Sequence, residues 1–199
     1  MVQSPFIVVQ STHLKGTARQ LARQRVHRGY MQHRRIRNSE FRIRCESLRS
    51  CVGNTPDARG SFHTTALHLA VRERCFSSVC DIVSNGGNPN AGDVNGATAL
   101  HYAVEFSAND DNRVILERVQ LLRALLQGGG DPNKRDNQRR TPLHVAAGRP
   151  NARYAIHTLL NWGCKSTAAD ATGRTPLTIA RQNRLTANIA AFTEWNSRK

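Results

Sequence analysis

One six-residue phrase recurs through the last two-thirds of this chain and limits what it can fold into. It reads TALHLA from Thr65, TALHYA from Thr98, TPLHVA from Thr141 and TPLTIA from Thr175, at spacings of 33, 43 and 34 residues. A second phrase keeps step: GGNPN from Gly86, GGDPN from Gly129 and a degraded GCKST from Gly163, each opening 12 residues before the next Thr. Two markers in one phase denote a repeated structural unit. A unit this short cannot bury its apolar face alone, so it must stack on copies of itself.

The residues inside the period say what the unit is. Thr65, Thr98, Thr141 and Thr175 stand where a helix begins, and a Thr hydroxyl can accept from first-turn N–H groups. Pro142 and Pro176 follow at the first helical position, where a missing N–H costs least. Leu67, Ala70 and Val71, and likewise Leu100, Ala103 and Val104, recur at helical spacing. Second helices read as Val79-Ile82-Val83, Leu121-Leu122-Leu125-Leu126 and Ile156-Leu159-Leu160, each closed by a Gly suited to a left-handed cap. Asn-Pro-Asn or Asp-Pro-Asn then turns the chain, and Asn95-Gly96 and Thr172-Gly173 supply positive-φ turn positions.

A period near 33 with T-P-L-H-x-A resembles the ankyrin repeat, over residues from about 58 to 199. The resemblance implies an all-α solenoid of paired antiparallel helices with β-hairpin fingers, in four units at 60–92, 93–135, 136–169 and 170–199. It also implies that His68, His101 and His144 belong to a structural hydrogen-bond network with Thr65, Thr98 and Thr141, rather than to a metal or catalytic site. Three departures stand out. About ten extra residues fall in 105–116, EFSANDDNRVIL, with Asn109 to Asn112 expected to be loop. Arg139 takes the turn position held elsewhere by Gly96 and Gly173, at a cost on the order of 1 kcal/mol if φ is positive. The last unit has Thr178 in place of His and a polar second helix, as suits a cap facing water.

Twenty-nine Lys and Arg face 14 Asp and Glu, a formal +15, which favours anionic partners. The excess is concentrated early: residues 1–58 carry 11 basic and 3 acidic residues, while 59–199 carry 18 and 11. Residues 1–57 are expected to be a basic N-terminal extension, with 45–57 a candidate degenerate capping half-unit. Its amphipathic Arg-rich stretch leaves four readings open: a solvated extension, a nuclear-localisation or nucleic-acid tract around Arg34, Arg35 and Arg37, a mitochondrial presequence, or a binder of anionic lipid. No apolar run approaches the roughly 18 residues of a membrane span. Five cysteines in no C-x-x-C pair, and no N-x-S/T acceptor site, point to idle thiols in a reducing compartment. Cytoplasm or nucleus is therefore the expected location, with mitochondria the alternative if the N-terminus is a presequence.

No catalytic constellation emerges. GGGDPNK from Gly128 lacks the Gly before Lys and the hydroxyl after it, so it fails as a phosphate loop. No histidine set has metal-ligand spacing, and neither cofactor nor enzymatic activity is expected. Arrays like the one resembled here bind partners with finger tips and first helices. That implies a scaffold or adaptor, monomeric, whose site falls on Asp93, Val94 and Asn95; on Lys134, Arg135, Asn137, Gln138, Arg139 and Arg140; and on Asp170 and Thr172. The basic middle finger suggests an acidic protein partner, since Arg binds carboxylates bidentately. The alternative is a nucleic-acid-associated regulatory factor, with residues 1–50 contacting phosphates and the repeats recruiting a partner.

Overall fold

The computed structural model describes residues 63–198; the basic extension, Arg34, Arg35, Arg37 and the candidate half-unit lie outside that range. The described residues form eight α-helices in four successive pairs. They are α1 (Ala66–Arg72) with α2 (Phe76–Ser84), α3 (Ala99–Ala103) with α4 (Asn112–Gln127), α5 (Pro142–Ala147) with α6 (Arg153–Asn161), and α7 (Pro176–Gln182) with α8 (Thr186–Asn196). Each first helix packs on its own second helix and on the next first helix. The core is thus a sheet of side chains running through the stack, as expected for an all-α solenoid. Leu67, Leu100, Leu143, Ile82, Leu125 and Leu159 are sealed from solvent, and each such side chain gains about 1.5–3 kcal/mol from burial. Ala70, Ala103, Ala146 and Ala180 are equally buried, and their small size lets the paired helices approach.

The second helices α2, α4 and α6 end by one rule. Gly87, Gly130 and Cys164 each donate their N–H five residues back into α2, α4 and α6, while Gly86, Gly129 and Gly163 hold φ of 89°, 95° and 81°. That is a Schellman closure with Gly in the left-handed position. Two first helices, α1 and α7, close the same way without Gly: Arg74 and Arg184 take φ of 56° and 55°, with Cys75 N–H donating to Ala70 O and Leu185 N–H to Ala180 O. The tight space at Gly87, where a Cβ would lie 2.5 Å from an Ile82 methyl, explains the second Gly of the phrase.

The insertion differs from its expected form. Only 105–111 is non-helical; Asn112 to Leu116 belong to α4, which Asp111 caps by accepting from the Val114 N–H at 2.7 Å. The extra residues therefore lengthen a helix as well as a loop, because Val114, Ile115 and Val119 continue the apolar stripe of α4 and Ile115 and Val119 are buried. The loop itself is anchored. Phe106 is buried, Arg118 lies 5.9 Å from its ring and 3.4 Å from the Asp110 carboxylate, and Asn151 donates to the carbonyls of Ser107 and Ala108.

The fingers also differ from β-hairpins with strands: among the described residues no strand is present. What remains is the hairpin's hydrogen-bond skeleton. In the middle finger Arg139 N–H donates to Asp136 O and Asp136 N–H to Arg140 O; Asp93/Gly96/Ala97 and Asp170/Gly173/Arg174 repeat the pattern. This is a tight turn followed by a left-handed residue forming a bulge.

Candidate functional site

Three histidines cap first helices, and two of them join units together. At each of α1, α3 and α5 the histidine Nδ1 accepts from the backbone N–H of the capping Thr, at 3.2, 3.1 and 3.1 Å, and lies within 3.0 Å of the Thr hydroxyl. A backbone N–H can only donate, so Nδ1 must be unprotonated and the mobile proton sits on Nε2. That Nε2–H reaches the next unit: His68 donates to Ala97 O at 3.0 Å and His101 to Arg140 O at 3.1 Å. His144 Nε2 is buried short of hydrogen-bond geometry, although the backbone of Arg174 and Ala168 faces it. Burial lowers the pKa of both His101 and His144, more strongly than the facing backbone and carboxylates raise it. Thr175, lacking a histidine, accepts from Thr178 N–H and bonds its hydroxyl instead.

A second connector runs along the turns after the second helices. Asn90 accepts from Asp131 N–H at 2.7 Å and donates to Gly129 O at 3.0 Å; Asn133 does the same to Lys165 N–H at 2.8 Å and Gly163 O at 3.2 Å. A third is the buried amide of Asn188 in α8, which donates to Arg149 O at 2.7 Å and to the carbonyls of Ala146 and Ala147. Sequence reasoning identifies the two Asn of the turn phrase as turn formers only and passes over Asn188. The recurrence of Asn as the last letter of GGNPN and GGDPN is the available signal for the first two; a single Asn in a helix gives none.

The expected binding residues divide into two groups. Asp93, Asp136 and Asp170 are buried, and each Oδ1 accepts from the backbone N–H groups two and four residues on, at 2.8–2.9 Å. Asp93 and Asp170 therefore organise turns and offer no surface. Burial pushes both carboxyls up, but hydrogen bonds outweigh it and leave them below the usual carboxylate range: from the Tyr102 hydroxyl and turn amides for Asp93, and from Thr172 and Arg174 for Asp170. Burial and the adjacent Asp93 push the Tyr102 hydroxyl up to about 12. Arg140 is likewise engaged, with Nε and an Nη atom each 2.8 Å from Asp136 Oδ2, as Arg174 is with Asp170.

Val94, Asn95, Lys134, Arg135, Asn137, Gln138, Arg139 and Thr172 are exposed. The tips form one rim, because Asn137 N–H donates to Asn95 O at 2.8 Å, its side chain donates to Val94 O at 3.0 Å, and Ala171 N–H donates to Gln138 O at 2.9 Å. The contact leaves no space for a side chain at residue 96, where a Cβ would fall 2.6 Å from Asn137 Oδ1. Arg139 sits at φ 59°, so the middle finger holds a cation where its neighbours hold Gly.

No group of His, Cys, Asp or Glu suited to a metal occurs among the described residues. Nor is any described helix long and apolar enough to cross a membrane. Cys80 and Cys164 are free thiols, each pushed up to about 11 by burial, and so poor nucleophiles. Cys75 is disulfide-bonded, contrary to the expectation of idle thiols throughout.

Comparison with known proteins agrees with the geometry. Residues 112–192 match the family described as ankyrin repeats (3 copies). The chain is 32% identical over 122 residues to Rabankyrin-5 of Homo sapiens, covering 59% of this chain and 10% of that protein. It is 31% identical over 128 residues to the B-cell lymphoma 3 protein homolog of Mus musculus, covering 64% and 27%. It is 40% identical over 82 residues to the Ankyrin repeat-containing protein P1E11.10 of Schizosaccharomyces pombe, covering 41% and 35%. The chain thus spans from a tenth to about a third of the length of these relatives. The phased Thr-His capping boxes, the helix pairs stacked through them and the matched residues together show that this chain carries ankyrin repeats.

Proposed function

We propose that this chain is a non-enzymatic docking module whose finger rim and first helices grip an acidic segment of a protein partner. Ankyrin repeats are general protein-interaction modules, which supplies the class. The observation that carries the acidic partner is the middle finger. Its own carboxylate, Asp136, is buried and paired with Arg140, while Lys134, Arg135 and Arg139 are exposed and enter no ion pair among the described residues. The tip therefore presents three uncommitted cations. Arg140 is left intact in the test, because a carboxylate there would lie against Asp136 and break the turn. The test variant is Arg135→Glu with Lys134→Glu, captured beside the parent chain from lysate with and without nuclease treatment. Loss of a protein partner with unchanged thermal stability supports the reading. Undiminished capture removes the finger from it. Bound material that disappears on nuclease treatment favours the nucleic-acid alternative.

A further inference from the structure

The middle finger carries a side chain where the turn geometry asks for none. The bulge position has positive φ in all three fingers, at 71° for Gly96, 59° for Arg139 and 78° for Gly173. Gly adopts that conformation freely, while a side chain there is strained. Among the described residues the Arg139 side chain is exposed and meets no carboxylate, whereas Arg140 beside it is paired with Asp136. Arg74 and Arg184 hold a similar φ at helix ends, so it is the exposed guanidinium at a finger tip, with no carboxylate beside it among the described residues, that points to a contact outside.

The neighbouring tip shows what else that contact includes. Val94 is 51% exposed, one of few large apolar side chains so placed. Its carbonyl is held by the Asn137 side chain at 3.0 Å, so the apolar tip and the cationic tip are fixed to each other.

We propose that Arg139 selects the partner at this rim, and that the partner segment is an acidic peptide bearing an apolar side chain beside its carboxylates. The inference rests on the docking reading above and narrows it. The guanidinium forks onto a carboxylate of the segment, Lys134 and Arg135 neutralise its neighbours, and Val94 receives the apolar residue. Nucleic acid does not fit: it would use the cations but has no apolar side chain for Val94.

The test uses the full chain, fluorescence anisotropy and three probes: a peptide of alternating glutamate and leucine, a glutamate–serine peptide of equal length, and poly(U). The parent chain should prefer the glutamate–leucine peptide over both others. Arg139→Gly should weaken that binding by about tenfold. It should also raise the melting temperature by about 2–4 °C, because it relieves the turn. Arg139→Lys keeps the charge and the strain but loses the fork, so its affinity should fall between the two. If neither peptide binds the parent chain, the docking reading itself fails. If the peptide binds but Arg139→Gly binds equally well, the docking reading stands and this inference falls. Equal affinity for the serine peptide overturns the assignment to Val94, and tighter binding of poly(U) overturns the choice of a protein segment. A lower melting temperature in Arg139→Gly would show that the arginine serves the fold.

Discussion

The third helix pair and the fourth have nearly the same backbone plan, yet they are wired differently. Toward the C-terminal side of the stack, Asn133 at the turn before the α5/α6 pair bonds Lys165 N–H and Gly163 O, and His144 faces the backbone of Arg174 and Ala168 short of hydrogen-bond geometry. In the α7/α8 pair Thr178 replaces the histidine and Thr167 stands where Asn90 and Asn133 stood. What the fourth pair has instead points backward: Asn188 and Asn183 donate to the carbonyls of Arg149 and Gly148. The forward connectors of the earlier pairs have no counterpart in the fourth among the described residues. Replacing them with small hydroxyl residues leaves no orphaned donor on the outer face, where Thr186, Ala187 and Thr193 meet solvent.

The contrast can be broken most sharply at its strongest connector. His101→Ala should cost about 3–4 kcal/mol, since it opens a cavity and strands the Thr98 N–H and the Arg140 carbonyl; urea denaturation measures it, and a loss under about 1 kcal/mol would mean the box contributes little. Asn188→Ala should cost about 2 kcal/mol, because buried carbonyls lose their donor, and hydrogen exchange should show α8 opening ahead of the rest.

Acid provides a graded version of the same experiment. His101 and His144 have pKa values below the ordinary value near 6.5, so the unfolded chain binds protons first as pH falls. Their contribution is complete above about pH 7 and declines from about 6.5 downward, by at most about 1.4 kcal/mol per pH unit for each ring. Asp93 and Asp170, held below the usual range, contribute above about pH 4 and lose that stability only in stronger acid. Denaturation midpoints between pH 7 and pH 5 should therefore fall in the parent chain and fall less in His101→Gln. Parallel curves would show that the rings do not titrate in this window.

The smallest effect sharpens the comparison. Thr178→His rebuilds the capping box in the fourth pair but gives Nε2 no further unit to reach among the described residues. It should change stability by less than about 0.5 kcal/mol, as expected for an exposed position. A gain equal to the His101 loss would show that the local box, and not the link to the next unit, is what the histidine contributes.

Much of this is legible in the sequence because the stack repeats itself. The Thr caps, the first-position prolines, the closing glycines and the positive φ of Arg139 come from residue types at a fixed period. The rest escapes for physical reasons. Asp93 and Asp170 read as surface residues at finger tips, since nothing in a sequence tells a carboxylate facing solvent from one folded back onto amides two and four residues on. Arg140 and Arg139 are adjacent cations whose side chains separate only in space, one clasping the Asp136 carboxylate and the other forming no ion pair with it. The insertion misleads because Asn and Asp at 109–112 favour both loops and helix starts, and Asp111 serves as the start.

The connectors share a property with a bearing on history. His68 and His101 bond backbone oxygens of the adjoining unit, and Asn90 and Asn133 bond its backbone amide and carbonyl. The residues they meet, Asp131 in one case and Lys165 in the other, carry opposite charges, yet the contact is the same. A joint that reads only main chain tolerates any side chain on its far side. Copies made by duplication can then diverge in every exposed residue, and even swap places, without a matching change in their neighbour. An arginine could enter one finger, and an extra loop one pair, while the seams on either side stayed as they were.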